Sequence, residues 1–201
     1  MIDKEHRDFI RQCAEAFMAL GPHYAPAMTE EDAGVPIDMM LDEPDAEGMV
    51  AWKVVWSDID DEELVTVEAR LPGHFPPLFR AYLTTMYILG LQFGKVWLPH
   101  IPSHAPFQMV KDTVQRWSLL MESNYVAFSE NDDGPLCFDL GRRAPNGDCP
   151  VVCFDYEELL ALGRDQWDQR DLLEKSARRL FPSFETLMTT LFLQRKFTDG
   201  P

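Results

Sequence analysis

His100 and His104 stand four residues apart, the spacing with which one face of a helix presents two metal ligands. Pro102 lies between them and Pro99 just before, so a helix is broken here and the shared face is lost. Ser129-Glu-Asn-Asp-Asp-Gly134 has the composition of a calcium loop. That chemistry needs Asp at the first position and Glu at the twelfth, where this chain carries Ser129 and Leu140. The same Asn, Asp and Gly suit a tight hairpin reversal. Cys149 and Cys153 would share a face of an extended strand, with Cys137 as a third thiol, yet the Cys-x₂-Cys knuckle and a neighbouring His are missing. These three and Cys13 are expected to be buried free thiols, with no metal and no disulfide. The acidic runs at 42–47 and 58–63 could pair carboxylates for acid–base work. Such work needs a desolvated cleft that separates their pKa values, which consecutive solvated acids do not provide. No nucleophile elbow, phosphate loop or dinucleotide fingerprint is present. The residues therefore point to binding without a cofactor rather than to catalysis.

The charge pattern says what could be bound. The net charge is −16. Residues 1–63 hold 17 Asp or Glu against 4 Lys or Arg, a balance of −13, and the remaining 138 residues contribute −3. An acidic field repels phosphate, so nucleic acid and anionic membrane are poor partners and a basic protein is a good one. Trp52 and Trp56 share strand parity, and Trp56 adjoins the acidic segment. An exposed aromatic ringed by carboxylates would make a hot spot for such a partner. The candidate partner-binding residues are Trp56, Asp58, Asp60, Asp61, Glu62 and Glu63, together with Glu130, Asp132 and Asp133 of the later acidic turn.

The elements that must position these residues follow from periodicity and turn chemistry. A hydrophobic fraction of 46% suffices for a core without staples. One domain over residues 1–201 is expected: a helix at 3–20, an irregular acidic connection at 24–48 and a core at 49–196. Phe9, Ile10, Cys13, Ala14, Phe17 and Leu20 recur at helical spacing, and Gly21-Pro22 ends the run. Residues 49–56 and 64–70 read as two strands joined by the acidic turn 57–63. Residues 75–90 read as a helix with Pro76 and Pro77 in its first turn, 94–107 as loop, and 108–121 as a helix. Strands are expected at 125–128, 136–140 and 150–154, with reversals at Asn131–Gly134 and Pro145–Asp148. Residues 170–180 read as a charged helix. Ser183 then caps a helix whose Phe184, Leu187, Met188, Leu191 and Phe192 form one apolar face. The charged N-terminus is unlike a secretory signal, and no run is long and apolar enough to span a membrane, so a cytoplasmic protein is expected.

With these segments in place the chain resembles the SUKH superfamily, which includes a fungal regulator of cell-wall assembly and many bacterial immunity proteins. The resemblance rests on Leu71-Pro-Gly-His-Phe-Pro-Pro-Leu-Phe-Arg-Ala-Tyr-Leu83 and on the acidic-Gly turn and strand Phe128-Ser-Glu-Asn-Asp-Asp-Gly-Pro-Leu-Cys-Phe-Asp-Leu140. It continues in Pro150-Val-Val-Cys-Phe-Asp155 and in the closing Phe181-Pro-Ser-Phe-Glu-Thr-Leu187. The family's Asn-Gly-Gly is missing, with Leu89-Gly90-Leu91 near its place. The resemblance implies an α+β domain, an antiparallel-rich sheet of about five or six strands with helices packed on one face. It also implies work by binding protein. Neutralisation of a cognate basic toxin, such as a nuclease, is the first function it suggests. A regulator or adaptor with another protein partner is the second, and a small-molecule hydrolase is the third.

Overall fold

The computed structural model of the chain describes residues 2–27, 34–57, 59 and 61–194, without the Asp61 side chain. The fold is mixed α and β, and every named strand pair is antiparallel. Its principal sheet has the order β10-β9-β8-β7, from Arg178–Phe181, Val151–Cys153, Gly134–Asp139 and Tyr125–Asn131. The three expected meander strands are thus neighbours, and the Asn131↔Gly134 register makes their first turn a two-residue reversal. Asn131 Oδ1 accepts from the amides of Asp133 (2.9 Å) and Gly134 (3.0 Å), which fixes that turn. Gly134 has φ +146°, and a Cβ there would fall on the Phe154 carbonyl oxygen, so the reversal requires glycine.

Both faces of this sheet are covered, where helices on one face were expected. On one side Val126, Phe128, Leu136, Phe138 and Val151 pack with α3 (Pro77–Thr85) and α7 (Phe184–Met188). Phe79 of α3 lies 4.9 Å from the Phe138 ring, 5.2 Å from Phe128 and 5.2 Å from Phe184. On the other side Tyr125, Ala127, Cys137, Val152 and Phe154 pack with Trp117, Leu159 of α5 (Tyr156–Leu162), Trp167 and Leu173 of α6 (Arg170–Ser176). Alternate strand residues feed the two cores, as a pleated sheet buried on both faces demands. Ser183 caps α7 through Thr186 N at 3.0 Å, and Phe184, Leu187, Met188, Leu191 and Phe192 are all buried, as their spacing requires.

The first third departs from the sequence expectation. Residues 64–70 are not a strand. Asp61–Glu68 forms α2, because Leu64, Val67 and Glu68 bury at intervals of three and four while Val65 stays exposed. Acids in the first turn of a helix are favoured by its dipole, which suits Asp61, Glu62 and Glu63. Residues 49–56 divide into β2 (Met49–Trp52) and β3 (Val55–Trp56), so no hairpin joins them to 64–70. β2 pairs with β1 (His23–Pro26), which takes up the start of the connection expected to be irregular, and β3 pairs with β4 (Met86–Tyr87). The helix expected over 75–90 is the shorter α3. The expected loop after residue 94 begins as β6 (Val96–Leu98), paired with β5 (Leu91–Phe93). Residues 178–180 leave the expected helix and extend with Phe181 as β10, since Pro182 disfavours helix at the residue before it. Among the described residues the principal sheet therefore has four strands, against the five or six expected, and the remaining strands form three pairs.

α1 (Lys4–Met18) starts at Asp3, whose carboxylate accepts from Glu5 N, and buries Ile10, Cys13, Ala14 and Phe17. Phe17 stacks on His23 at 3.9 Å and lies 6.1 Å from Phe192, which joins the N-terminal pair of strands to the C-terminal helix. Leu187 is fully buried, so Leu187→Ala should cost about 2–5 kcal/mol in chemical denaturation. Leu160, 52% exposed on α5, is the control, and Leu160→Ala should stay within about 0.5 kcal/mol of wild type.

Candidate functional site

Trp56 sits opposite Met86 in the β3–β4 pair and is 45% exposed. The Arg11 guanidinium of α1 lies 6.0 Å from its ring centroid, at the outer limit of a cation–π contact. Asp58 and Asp60 lie outside the described residues, as does the Asp61 side chain. Glu62 is exposed at the start of α2. Glu63 pairs with Lys111 of α4 (Gln108–Arg116) at 2.7 Å.

The acids of the later turn are also engaged. Asp133 meets Lys95 at 2.9 Å, and that hydrogen bond holds its carboxyl below the usual range. Glu130 pairs with Arg116 and accepts from Trp117 Nε1 at 2.8 Å. Its direction depends on a β-bulge. β7 and β8 match Ala127 to Cys137 and then Ser129 to Leu136, so the extra residue Phe128 reverses the alternation and turns Glu130 towards Trp117. Glu63 and Glu130 thus both reach α4, whereas Trp56 stands against α1 and β4. Of the expected site, Glu62 and Asp132 remain exposed carboxylates without an ion pair among the described residues.

Several charged side chains that the sequence reading did not single out are buried, and each has a structural role. Glu68 accepts from Phe75 N (2.9 Å) and meets His74 Nδ1 (2.9 Å) and Arg80 Nε (3.2 Å), which ties α2 to α3. Asp148 accepts from Cys149 N (2.7 Å) and Phe184 N (3.2 Å), so it supports the start of α7 alongside Ser183. Asp139 pairs with Arg170 at 2.7 Å, and Arg170 also donates to the Ser123 carbonyl, lies over the Tyr125 ring and meets Glu174 at 3.2 Å. The sequence signal for these acids was their place beside apolar runs, where an unpaired charge would be too costly to keep.

His100 and His104 do come together, lining one cleft of about 510 Å³ with Gln108, Asp112, Arg116 and Glu130. Burial, and then the His104 charge, lower the His100 pKa, so the neutral imidazole is favoured there. No group of three or more His, Cys, Asp and Glu suited to a metal ion occurs among the described residues. No helix among them is long and apolar enough to cross a membrane. All four cysteines are free thiols. Burial pushes Cys13 and Cys149 up to about 12 and also raises Cys137; it raises Cys153 too, with Arg178 opposing it there.

A family model described as SUKH_5, SMI1-KNR4 cell-wall, matches residues 37–167, more than half of the chain. No curated protein matches the chain.

Two tests follow from this geometry. Asp139→Asn removes the charge that Arg170 faces. Breaking a buried pair costs about 3–5 kcal/mol; Glu174 remains as a second partner, so the expected loss in denaturant titration is about 2–3 kcal/mol. Arg142→Gln, at the more exposed end of the network, should cost under about 1 kcal/mol. In thiol counting at pH 8, the native protein should react slowly, Cys153 first, and the unfolded protein should release four thiols under non-reducing conditions. Fewer than four would reveal a disulfide.

Proposed function

The chain belongs to the SUKH family described as SMI1-KNR4 cell-wall, and from that premise we propose that it is a bacterial immunity protein that neutralises a cognate basic toxin domain. The family is generally non-catalytic and acts by binding protein. The observation that carries the finer reading is the segregation of charge, with −13 of the net −16 in the first 63 residues. A partner drawn to that field is basic, as nuclease surfaces are. The reading puts the chain in the cytoplasm, where such a toxin would act. A second reading, a regulator of the same fold with another protein partner, is favoured by the cell-wall description of the family.

The deciding experiment is co-expression with the C-terminal domain of any large secreted protein encoded beside this gene. Rescue of growth and a stable complex on gel filtration support immunity. An anionic partner, or a toxin that the chain neither binds nor silences, overturns it.

Complex formation should be fast at low salt and slow as salt rises, because steering of this kind changes on-rates by about 10 to 10³. Reversing Asp58, Asp60 and Glu62 leaves the Glu63–Lys111 pair intact and should lower the on-rate in stopped-flow mixing with little change in thermal stability. Reversing Asp165 and Asp168 should do much less. An on-rate indifferent to salt and to all these charges would remove the electrostatic argument.

A further inference from the structure

The strand β1 and residues 39–41 flank β2 on its two edges. Tyr24 lies opposite Ala51, and Met40 opposite Trp52 in an antiparallel bridge. Leu41 N donates to the Ala51 carbonyl at 2.8 Å, and Lys53 N to the Met39 carbonyl at 2.9 Å, which extends the same register. Alternation then sorts the side chains. His23, Trp52 and Met40 point inward, where His23 and Trp52 meet Phe17. Tyr24, Ala51 and Leu41 form a row across the outer face. Tyr24 is 62% exposed and Leu41 51%, while Ala51 between them is covered. Ile37, in the turn just before, is 85% exposed.

Carboxylates border this apolar row. Asp42 and Glu43 follow Leu41 directly, and Asp45 and Glu47 occupy the turn into β2. All four are exposed, and none forms an ion pair among the described residues, in contrast to Glu63, Glu130 and Asp133. Asp45 also shapes the turn, accepting from the Glu47 and Met49 amides at 2.9 Å. Lys53 is the cation of this face, at the end of β2 away from the acidic turn. The face is therefore polarised along β2: apolar in the middle, acidic at the Met49 end.

We infer that this three-segment face is the contact surface for a basic partner protein, with Tyr24, Ile37 and Leu41 as its apolar centre and Asp42, Glu43, Asp45 and Glu47 as its rim. The inference rests on the protein-binding reading above and moves the contact centre away from Trp56. An interface draws most of its energy from aromatic and aliphatic anchors at its centre. Rim charges act mainly on the rate of encounter. The occupant is a strand or loop that alternates apolar and basic side chains, since acids with no partner cation among the described residues are the ones left to meet an external one.

The test uses two synthetic peptides of equal length, one alternating Leu with Arg and one alternating Leu with Glu, titrated into the ¹⁵N-labelled full chain and followed by amide shifts. The Leu–Arg peptide should shift the amides of Tyr24, Ile37, Leu41 and Ala51, and the Leu–Glu peptide should not. Tyr24→Ser combined with Leu41→Ser should weaken the Leu–Arg peptide at least tenfold and leave the melting temperature within a few degrees. Asp42→Lys combined with Glu43→Lys should weaken it similarly, while Asp165→Lys with Asp168→Lys should not. A footprint centred on Trp56, equal response to both peptides, or no binding overturns the inference. If a partner from the co-expression experiment binds wild type and the Tyr24/Leu41 double variant equally, this surface is wrong and the protein-binding reading stands. If no basic protein partner is found there, the reading itself fails.

Discussion

The packing of Phe79 is the constraint on which the rest of the structure depends. Its ring touches aromatic neighbours from two adjacent strands and from the last helix, Phe128, Phe138 and Phe184, and stacks near Tyr82 one turn along α3. These are edge-on and offset arrangements, the ones that the ring quadrupole favours. Together they join segments more than 100 residues apart in sequence. Once Phe184 is seated there, Asp148 can reach the start of α7 and Tyr82 can donate its hydroxyl to the Pro99 carbonyl at 2.9 Å. Asp148 and the Tyr82 hydroxyl are satisfied because the aromatic contacts set these distances, and their hydrogen bonds in turn penalise other packings.

Electrostatics divides the molecule in a way that net charge alone conceals. In the C-terminal two thirds, acids and bases are close to balance, and many find each other: Asp133 with Lys95, Glu130 with Arg116, Asp139 with Arg170. Exposed pairs such as the first add little to stability, because solvent screens them and both chains lose freedom. Their effect is to cancel field. The acids at 42–47 have no such counterions among the described residues, so the uncancelled field of those residues lies beside the N-terminal strands. A bulge of one residue at Phe128 contributes to this division: it turns Glu130 to the sheet face where Trp117 and Arg116 meet it.

Much of the C-terminal half was legible in the sequence because its signals are local. Asn131 with Gly134, and Asn146 with Gly147, specify their turns through Asx bonds and positive φ, and the apolar steps from Phe184 to Phe192 admit only a buried helix face. Asp155 ahead of Glu157 and Glu158 also announced α5, whose first amides it caps, although no helix was assigned there. The first third was misread where signals conflict. Leu64-Val-Thr-Val67 has β-branched residues and fits an alternating pattern, yet tertiary burial of Leu64, Val67 and Glu68 selects the helix over that propensity. The two-residue strands at Val55 and Met86 are too short to leave any period. Among the candidate site residues, the shared parity of Trp52 and Trp56 was no guide, because they fall in different strands and Trp52 is buried while Trp56 is exposed. The neutralisation of Glu63, Glu130 and Asp133 was not legible either, because Lys111, Arg116 and Lys95 are brought to them only by the fold.

The helix α1 links the two exposed aromatic features of the acidic third. Arg11 lies over Trp56, and Phe17 stacks on His23, directly behind the outer face that carries Tyr24. Six residues of helix separate these contacts, about 9 Å along the axis. Cys13 and Ala14 between them, and Ile10 just before Arg11, are buried, so the helix cannot slide without opening the core. A face formed by two short strands and a bridge would be pliable by itself, since a two-stranded ladder is marginal in water. Backed by Phe17, Trp52 and Phe192, it is held as a rigid surface. Pre-organisation of this kind reduces the entropy that a contact surface must lose on binding. The inward row of aromatics and the outward apolar row are thus two consequences of one strand register: the first anchors the face to the core, and the second leaves Tyr24 and Leu41 available to a partner.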